Sequence, residues 1–323
     1  MEGTTGTTLK SRNTFWLIVI GAAFWGINPL FRVMLLDTLT SAQIVFIEHL
    51  LLAFIAVPIL WKNRHELKGL RKIHIGALLF ISWGGSALAT LLFTAGLTYG
   101  NMNAVLLLQK MQPLFAIILA RILLKEMLPK HFASLVVVAL MGTYLLTFGF
   151  SFPLGHVGDV IQMGSLLSLA AAALWGGSTV MGRIMLKQMK FETVTALRFV
   201  LATPFITAIM LMQNAVWNIP ADSTALTLIG INLVLSALLP GLFSMLLYYK
   251  GLTNTKASVA TLAELSFPMT GMLVSWLFFQ ETVTAAQFIG FVLIWGVIFT
   301  ISKQREIIAP IERERAPILS KIS

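Results

Sequence analysis

AFWGINP, residues 23–29, and ALWGGST, residues 173–179, are two versions of one motif set 150 residues apart in a 323-residue chain. The pairing does not stand alone. LLFTAGLT (Leu91–Thr98) recurs as LLYYKGLT (Leu246–Thr253), and Pro113 with Glu126 recurs as Pro268 with Glu281, both at an offset of 155. Order is kept, so the chain reads as one unit written twice. The first motif also poses a local problem. Asn28-Pro29 sits inside a long apolar segment, where proline removes a backbone donor and disfavours helix at the residue before it.

Composition sets the solvent. Hydrophobic residues make up 57% of the chain and charged residues 11%, with a mean hydropathy of +0.86; a soluble domain carries about 25% charged residues. Only a bilayer accommodates that much apolar surface. With about 20 apolar residues per crossing, ten spans emerge: 14–36, 42–61, 73–95, 103–124, 131–150, 160–181, 192–212, 225–248, 257–279 and 286–302. The first is read as a retained helix, because no small-residue cleavage site follows it. The absence of cysteine excludes disulfides and thiolate chemistry.

The connections fall into two alternating classes. Residues 1–13, 62–72, 125–130, 182–191, 249–256 and 303–323 hold nineteen of the 23 basic residues, whereas 37–41, 96–102, 151–159, 213–224 and 280–285 hold no Lys or Arg. The positive-inside rule makes the first class, with both termini, cytoplasmic. The net charge of +10 is thereby explained as topology, with no nucleic acid needed. Five spans per unit is an odd number, so the second unit enters the membrane from the opposite side. The expected fold is an all-α membrane protein of ten transmembrane helices in two inverted-topology five-helix repeats. Residues 1–13 form a cytoplasmic tail, 14–152 the first repeat, 160–302 the second, and 303–323 a second cytoplasmic tail. Inverted repeats with broken helices recur in secondary transporters, whose substrates bind near the midplane. The broken or weakened pairs here are WGINP with WGGST, and QKMQP (Gln109–Pro113) with ELSFP (Glu264–Pro268).

These landmarks resemble the EamA-type family of the drug/metabolite transporter superfamily, over about residues 13–302. The resemblance implies a ten-helix permease of small metabolites, often working outward, with a cavity lined mainly by spans 1, 3, 4, 6, 8 and 9. One departure matters. The family often has an arginine early in spans 2 and 7; span 7 keeps it in LRF (Leu197–Phe199), but span 2 has IEH (Ile47–His49), so no role of that arginine transfers to Glu48.

Charges left inside the spans are Arg32, Lys110, Arg121, Arg198, Glu48 and Glu264. Each is costly in hydrocarbon and should face protein or water. Depths of roughly 9–10 Å, at 1.5 Å per residue, pair Glu48 with Lys110 near the outer face and Arg198 with Glu264 near the inner one. Arg32 is the rival partner for Glu48. Structural pairing is one reading of Glu48, Arg198 and Glu264; the other gives Glu264 or Lys110 to substrate, with Glu264 a candidate proton carrier. Arg121 is expected to snorkel.

The candidate substrate site is Trp25, Asn28, Trp83, Gln109, Lys110, Trp175, Ser178 and Glu264. Gln43 and Asn103 are further polar candidates. Glu126 and Glu281 are expected to cap helix ends, Thr284-x-x-Gln287 to form a capping box, and Pro129 to sit in the first turn of span 5.

No G-x-x-x-x-G-K-[ST] motif is present for an ATP-driven pump, and the five histidines form no zinc motif. The reading is a multi-pass plasma-membrane permease, an exporter of amino acids or similar amphipathic metabolites, acting by alternating access. It has no cofactor, and its partners are the lipid bilayer and a small-molecule substrate. An intramembrane enzyme or sensor, or a permease for drugs, sugars or lipid-linked compounds, is the alternative.

Overall fold

A computed structural model describes residues 2–99, 101–152, 162–213, 216–217 and 220–304; side chains of 2–13, 97–98 and 102–103 are not described. The C-terminal tail from 305 onward and most of the 151–159 connection therefore lie outside the described residues. Among the described residues ten apolar helices follow one another: α1 (Thr14–Leu36), α2 (Ser41–Lys62), α3 (Lys72–Gly96), α4 (Ala104–Leu123, its first turn beginning at Met102), α5 (Phe132–Phe148), α6 (Met163–Leu186), α7 (Phe191–Met212), α8 (Ser223–Leu252), α9 (Ala257–Phe278) and α10 (Ala285–Ser302). Nine are long and apolar enough to cross a membrane unaided, and α5, with 17 residues, spans about 26 Å at 1.5 Å per residue. The chain is an all-helical membrane protein of ten transmembrane helices. Large apolar side chains such as Phe54, Trp61 and Met212 point outward, where lipid is the solvent.

Two ends differ from the sequence expectation. The sixth helix runs to Leu186 and takes in Arg183, which the charge pattern places in a connection. Buried Arg183 donates to the carbonyls of Leu252 and Thr253, which the end of α8 leaves without helical partners. Pro129 precedes α5 instead of opening it; its carbonyl accepts from Phe132, and His131 turns the chain in the left-handed region at φ 56°. Thr284 and Gln287 form the expected capping box of α10, and Thr40 and Gln43 form another on α2.

Packing repeats across the two halves. Helix α1 lies against α8 and α9 as α6 lies against α3 and α4, while α2 packs on α7 and α5 on α10. Two contacts show how closely the halves correspond. A Cβ on Gly26 of α1 would lie 2.6 Å from the Phe267 carbonyl oxygen of α9, and a Cβ on Gly176 of α6 would lie 2.8 Å from the Gln112 carbonyl oxygen of α4. Phe267 and Gln112 are themselves 155 residues apart. In both halves a bare α-carbon lets one helix reach the backbone of its neighbour, as in small-residue membrane interfaces generally. Helices α3 and α8 also carry matching π-helical stretches, Phe80–Leu88 and Ala237–Phe243.

The helix breaks are selective. α1 is interrupted at Ile27, α4 at Lys110-Met111 and α9 at Glu264-Leu265, each just before a proline at 29, 113 or 268. Helix α6 runs unbroken through Gly176-Gly177, contrary to the expectation that it is weakened there. Glycine keeps its backbone donor and costs about 1 kcal/mol, whereas proline removes the donor and clashes with the preceding turn.

The halves part company at the ends of α4 and α9. The first half of α9 packs against the second half of α4, at the end of the molecule that carries the basic connections. There Glu126 caps α9, its carboxylate accepting from the Ala257 and Ser258 amides at 2.8 and 3.0 Å and from the Ser258 hydroxyl at 2.7 Å. The corresponding pair at the other end, the first half of α4 and the second half of α9, has no comparable packed interface among the described residues.

Replacing Gly176 with alanine is expected to destabilise the detergent-solubilised protein by about 1–3 kcal/mol through overpacking. Gly230→Ala, where a Cβ meets nothing within 4 Å, should be neutral or gain up to about 1 kcal/mol from helix propensity. Thermal unfolding of the two variants in parallel checks the opposite signs.

Candidate functional site: a divided polar cavity between the halves

The breaks in α4 and α9 face one another across a cavity of about 300 Å³. Helix α1 contributes Trp25; α4 contributes Gln109, Lys110 and Gln112; α6 contributes Trp175, Ser178 and Thr179; α7 contributes Arg198; α8 contributes Tyr248; and α9 contributes Glu264 and Phe267. Thr143 of α5 also reaches it. Of the residues singled out from sequence, Trp25, Gln109, Lys110, Trp175, Ser178, Arg198 and Glu264 are brought together here.

Glu264 terminates the first half of α9, and its carboxylate is surrounded by neutral donors from three helices. Tyr248 Oη donates to Oε1 at 2.6 Å, Gln112 Nε2 donates to Oε2 at 2.9 Å, and Thr179 Oγ1 lies 3.2 Å from Oε1 and 2.8 Å from the Tyr248 hydroxyl. Arg198 donates to Tyr249 Oη at 2.9 Å and to Ser178 Oγ at 3.3 Å. The expected Arg198–Glu264 ion pair is therefore replaced by two neighbouring polar clusters. Depth placed the two groups at one level, but hydroxyls on α6 and α8 reach each of them first.

A second cavity of about 170 Å³ adjoins the first and is lined by Asn28, Arg32, Glu48, His49 and Ser236; Trp25, Arg198 and Met245 line both and form the wall between them. Here Glu48 pairs with Arg32 at 2.9 Å, not with Lys110. The rival partner prevails because Arg32 follows the break in α1 and projects from its second segment toward α2. Ser236 Oγ donates to Glu48 and lies 3.3 Å from Asn28 Oδ1. Asn28 therefore belongs to this ion-pair cluster and not to the larger cavity.

The Lys110 ammonium, left without Glu48, has no hydrogen-bond or ion-pair partner among the described residues, and Lys110 lines the larger cavity. Trp83 is the clear misplacement: it lies outside both cavities, donates to the Leu201 carbonyl at 2.8 Å, stacks on Phe205 at 5.6 Å and is 42% exposed. It faces α7 and the lipid side of α3. Gln43 is likewise structural, donating to the Val216 carbonyl at 3.0 Å.

Sequence reasoning passed over Gln112, Thr179, Tyr248 and Ser236. The first three stand inside quoted motifs, QKMQP, WGGST and LLYYKGLT, so polar residues within a repeated landmark were the available signal. Ring contacts follow the repeat as well: Trp25 with Tyr248 at 5.4 Å answers Trp175 with Phe93 at 5.6 Å.

Comparison with known proteins places this geometry in context. A model of the EamA-like transporter family matches residues 13–148 and again 162–303. A protein of Fusobacterium nucleatum subsp. nucleatum described as riboflavin transporter ImpX is 34% identical over 293 residues, which cover 89% of this chain and 96% of that one. A crystal structure 16% identical to the chain superposes with a TM-score of 0.71 over 90% of this chain and 96% of the other, which shows the shared fold.

Removing one partner of a partly buried pair strands the other. Glu48→Gln is expected to destabilise the protein by about 1–3 kcal/mol, with partial recovery in the Arg32→Gln, Glu48→Gln double variant. Lys110→Gln should leave the unfolding temperature nearly unchanged. A thermal-shift series on the four proteins reads all three outcomes.

Proposed function

The chain belongs to the EamA-like transporter family, and we propose from that premise that its cargo is a planar aromatic metabolite of the riboflavin type. The protein is a multi-pass membrane transporter of small metabolites; the substrate class, the route and the orientation are the proposal. One observation carries it: two tryptophans at matching repeat positions, Trp25 and Trp175, line a single cavity together with Tyr248 and Phe267, in a chain similar to a riboflavin transporter.

The chemistry is consistent with that cargo. A flat heterocycle gains about 1–3 kcal/mol from stacking on an aromatic side chain. Its imide edge needs alternating donors and acceptors, which the amides of Gln109 and Gln112 supply. Hydroxyls of a polyol side chain suit Glu264, Thr179, Ser178 and Arg198. Lys110 adds a cation with no partner among the described residues, available to a carbonyl or anionic group. The cavity volume falls at the lower end of ordinary ligand clefts, about 300–1,000 Å³. Amino acids, the class expected from the aromatics, amides and few charges of the sequence, would leave much of the aromatic wall unused.

The charge pattern supports an orientation with both termini and the basic connections in the cytoplasm of a plasma-membrane protein. Transport then follows from exposing the cavity first to one side and then to the other, with the two inverted halves exchanging conformations. The described arrangement, packed at the basic end, corresponds to the outward-facing form.

Reconstituted in proteoliposomes, the protein is expected to carry riboflavin, and Trp175→Ala should weaken half-saturation by about tenfold or more, in line with a lost stacking contact. Loading the vesicles on either side reads direction. Flux of amino acids with no flux of riboflavin would overturn the substrate assignment.

A further inference from the structure

The two halves are alike in their helices and unlike in one seal. Glu126 closes the basic end by accepting two backbone amides and a hydroxyl at the start of α9. Around it the same end is further tied by Lys256 Nζ on the Met127 carbonyl at 2.7 Å and by an apolar cluster of Ala120, Val180 and Ala257. The repeat offset of 155 converts Glu126 into Glu281, and Ala257 and Ser258 into Met102 and Asn103 at the start of α4. Even the backbone turn is reproduced: the Glu126 amide donates to the Ala120 carbonyl and the Glu281 amide to Ser275, again 155 apart.

The side chains do not match. Glu126 is buried, whereas Glu281 is exposed and its carboxylate has no partner among the described residues. Glu281 instead borders a crevice of about 190 Å³ lined by α5, α9 and the start of α10. That crevice lies at the end where α4 and α9 have separated.

From this we infer that Glu281 is the second of two alternating seals: when the Glu126 seal opens, Glu281 closes the opposite end by capping the first turn of α4 at Met102 and Asn103. An inverted repeat supplies the reason. If the halves exchange conformations, a contact made in one half is expected to reappear in the other wherever the counterpart residues can make it, and Glu281 has kept the carboxylate of Glu126. Both seals are charge-assisted and made largely to backbone donors, so they are about twice as strong as neutral bonds. They also compete, because each requires the α4–α9 pair to close at its own end. The inference rests on the alternating-access part of the proposed function and is independent of the substrate.

The chain has no cysteine, so spin labels attach only where cysteine is introduced. One pair, Lys130→Cys with Asn254→Cys, reports the basic end. Its repeat counterpart, Tyr99→Cys with Ala285→Cys, reports the other. Distance distributions by electron spin resonance are measured in lipid nanodiscs without substrate. Glu126→Gln is expected to lengthen the first distance and shorten the second, moving the ratio of the two states by about tenfold. Adding Glu281→Gln to that variant should move the ratio back by a similar factor. Ser258→Ala, which loses one hydroxyl bond, should shift it in the Glu126→Gln direction by less, and it serves as the background if Glu126→Gln does not fold. Because Glu281 has no partner in the described state, a purely structural role predicts that Glu281→Gln changes nothing in either background. That result, or a shift in the same direction as Glu126→Gln, would overturn the inference. Swinging ratios without riboflavin flux would leave the seals standing and remove only the substrate assignment.

Discussion

A bilayer offers no water to a freed backbone group, so each break in a transmembrane helix needs a partner inside the protein or a wet cavity beside it. The rest of this structure follows from that constraint. Prolines 29, 113 and 268 interrupt α1, α4 and α9 at the depth where the two halves meet. The polar side chains gather at the same level, because the place that can solvate a broken helix can also hold Glu264 and Lys110. The large cavity is thus the consequence of the breaks as much as their purpose. Helices α2, α5 and α10 form an outer frame and show apolar faces to lipid, while α2 also sends Glu48 into the second cavity and α5 sends Thr143 into the first.

Much of the fold was legible because its determinants are one-dimensional. Span length, the alternation of basic and charge-free connections, and the repeated Trp-Gly, Gly-Leu-Thr and Pro-x12-Glu landmarks all lie along the chain. The partners of intramembrane charges do not. Depth along a helix axis is readable from residue counts, but azimuth around the axis is not, and azimuth decided that Glu48 meets Arg32. It also turned Trp83 onto Phe205. Gly176-Gly177 was misread for a different reason: glycine serves both as a helix weakener and as a close-approach residue, and here the neighbouring Gln112 carbonyl selects the second use. Arg183 was assigned to a connection because a basic residue near a helix end counts equally as a loop charge or as a cap on a neighbour's carbonyls.

The repeat constrains shape more tightly than chemistry. The glycine contacts, the π-helical stretches and the Trp25 and Trp175 ring pairs are conserved between halves. The charged residue on the second helix of each half is not: Glu48 in one, Arg198 in the other. The first draws an arginine and a serine around it, the second a tyrosine and a serine. Backbone geometry therefore survived as the common machinery, while the two polar clusters diverged and gave the interior two unlike chambers separated by Trp25, Arg198 and Met245.

The Glu126 seal recognises the chain of α9 chiefly through main-chain amides. The amides themselves would survive a change of side chain at 257 and 258, but both residues are fully buried, so only small side chains fit there. One substitution is closed on a different ground. Proline is ordinarily welcome in the first turn of a helix, yet at either position it would delete a donor the carboxylate depends on. The sequence is thus restricted at this point by the main chain as well as by size, and the first is a form of constraint that a hydropathy profile does not register.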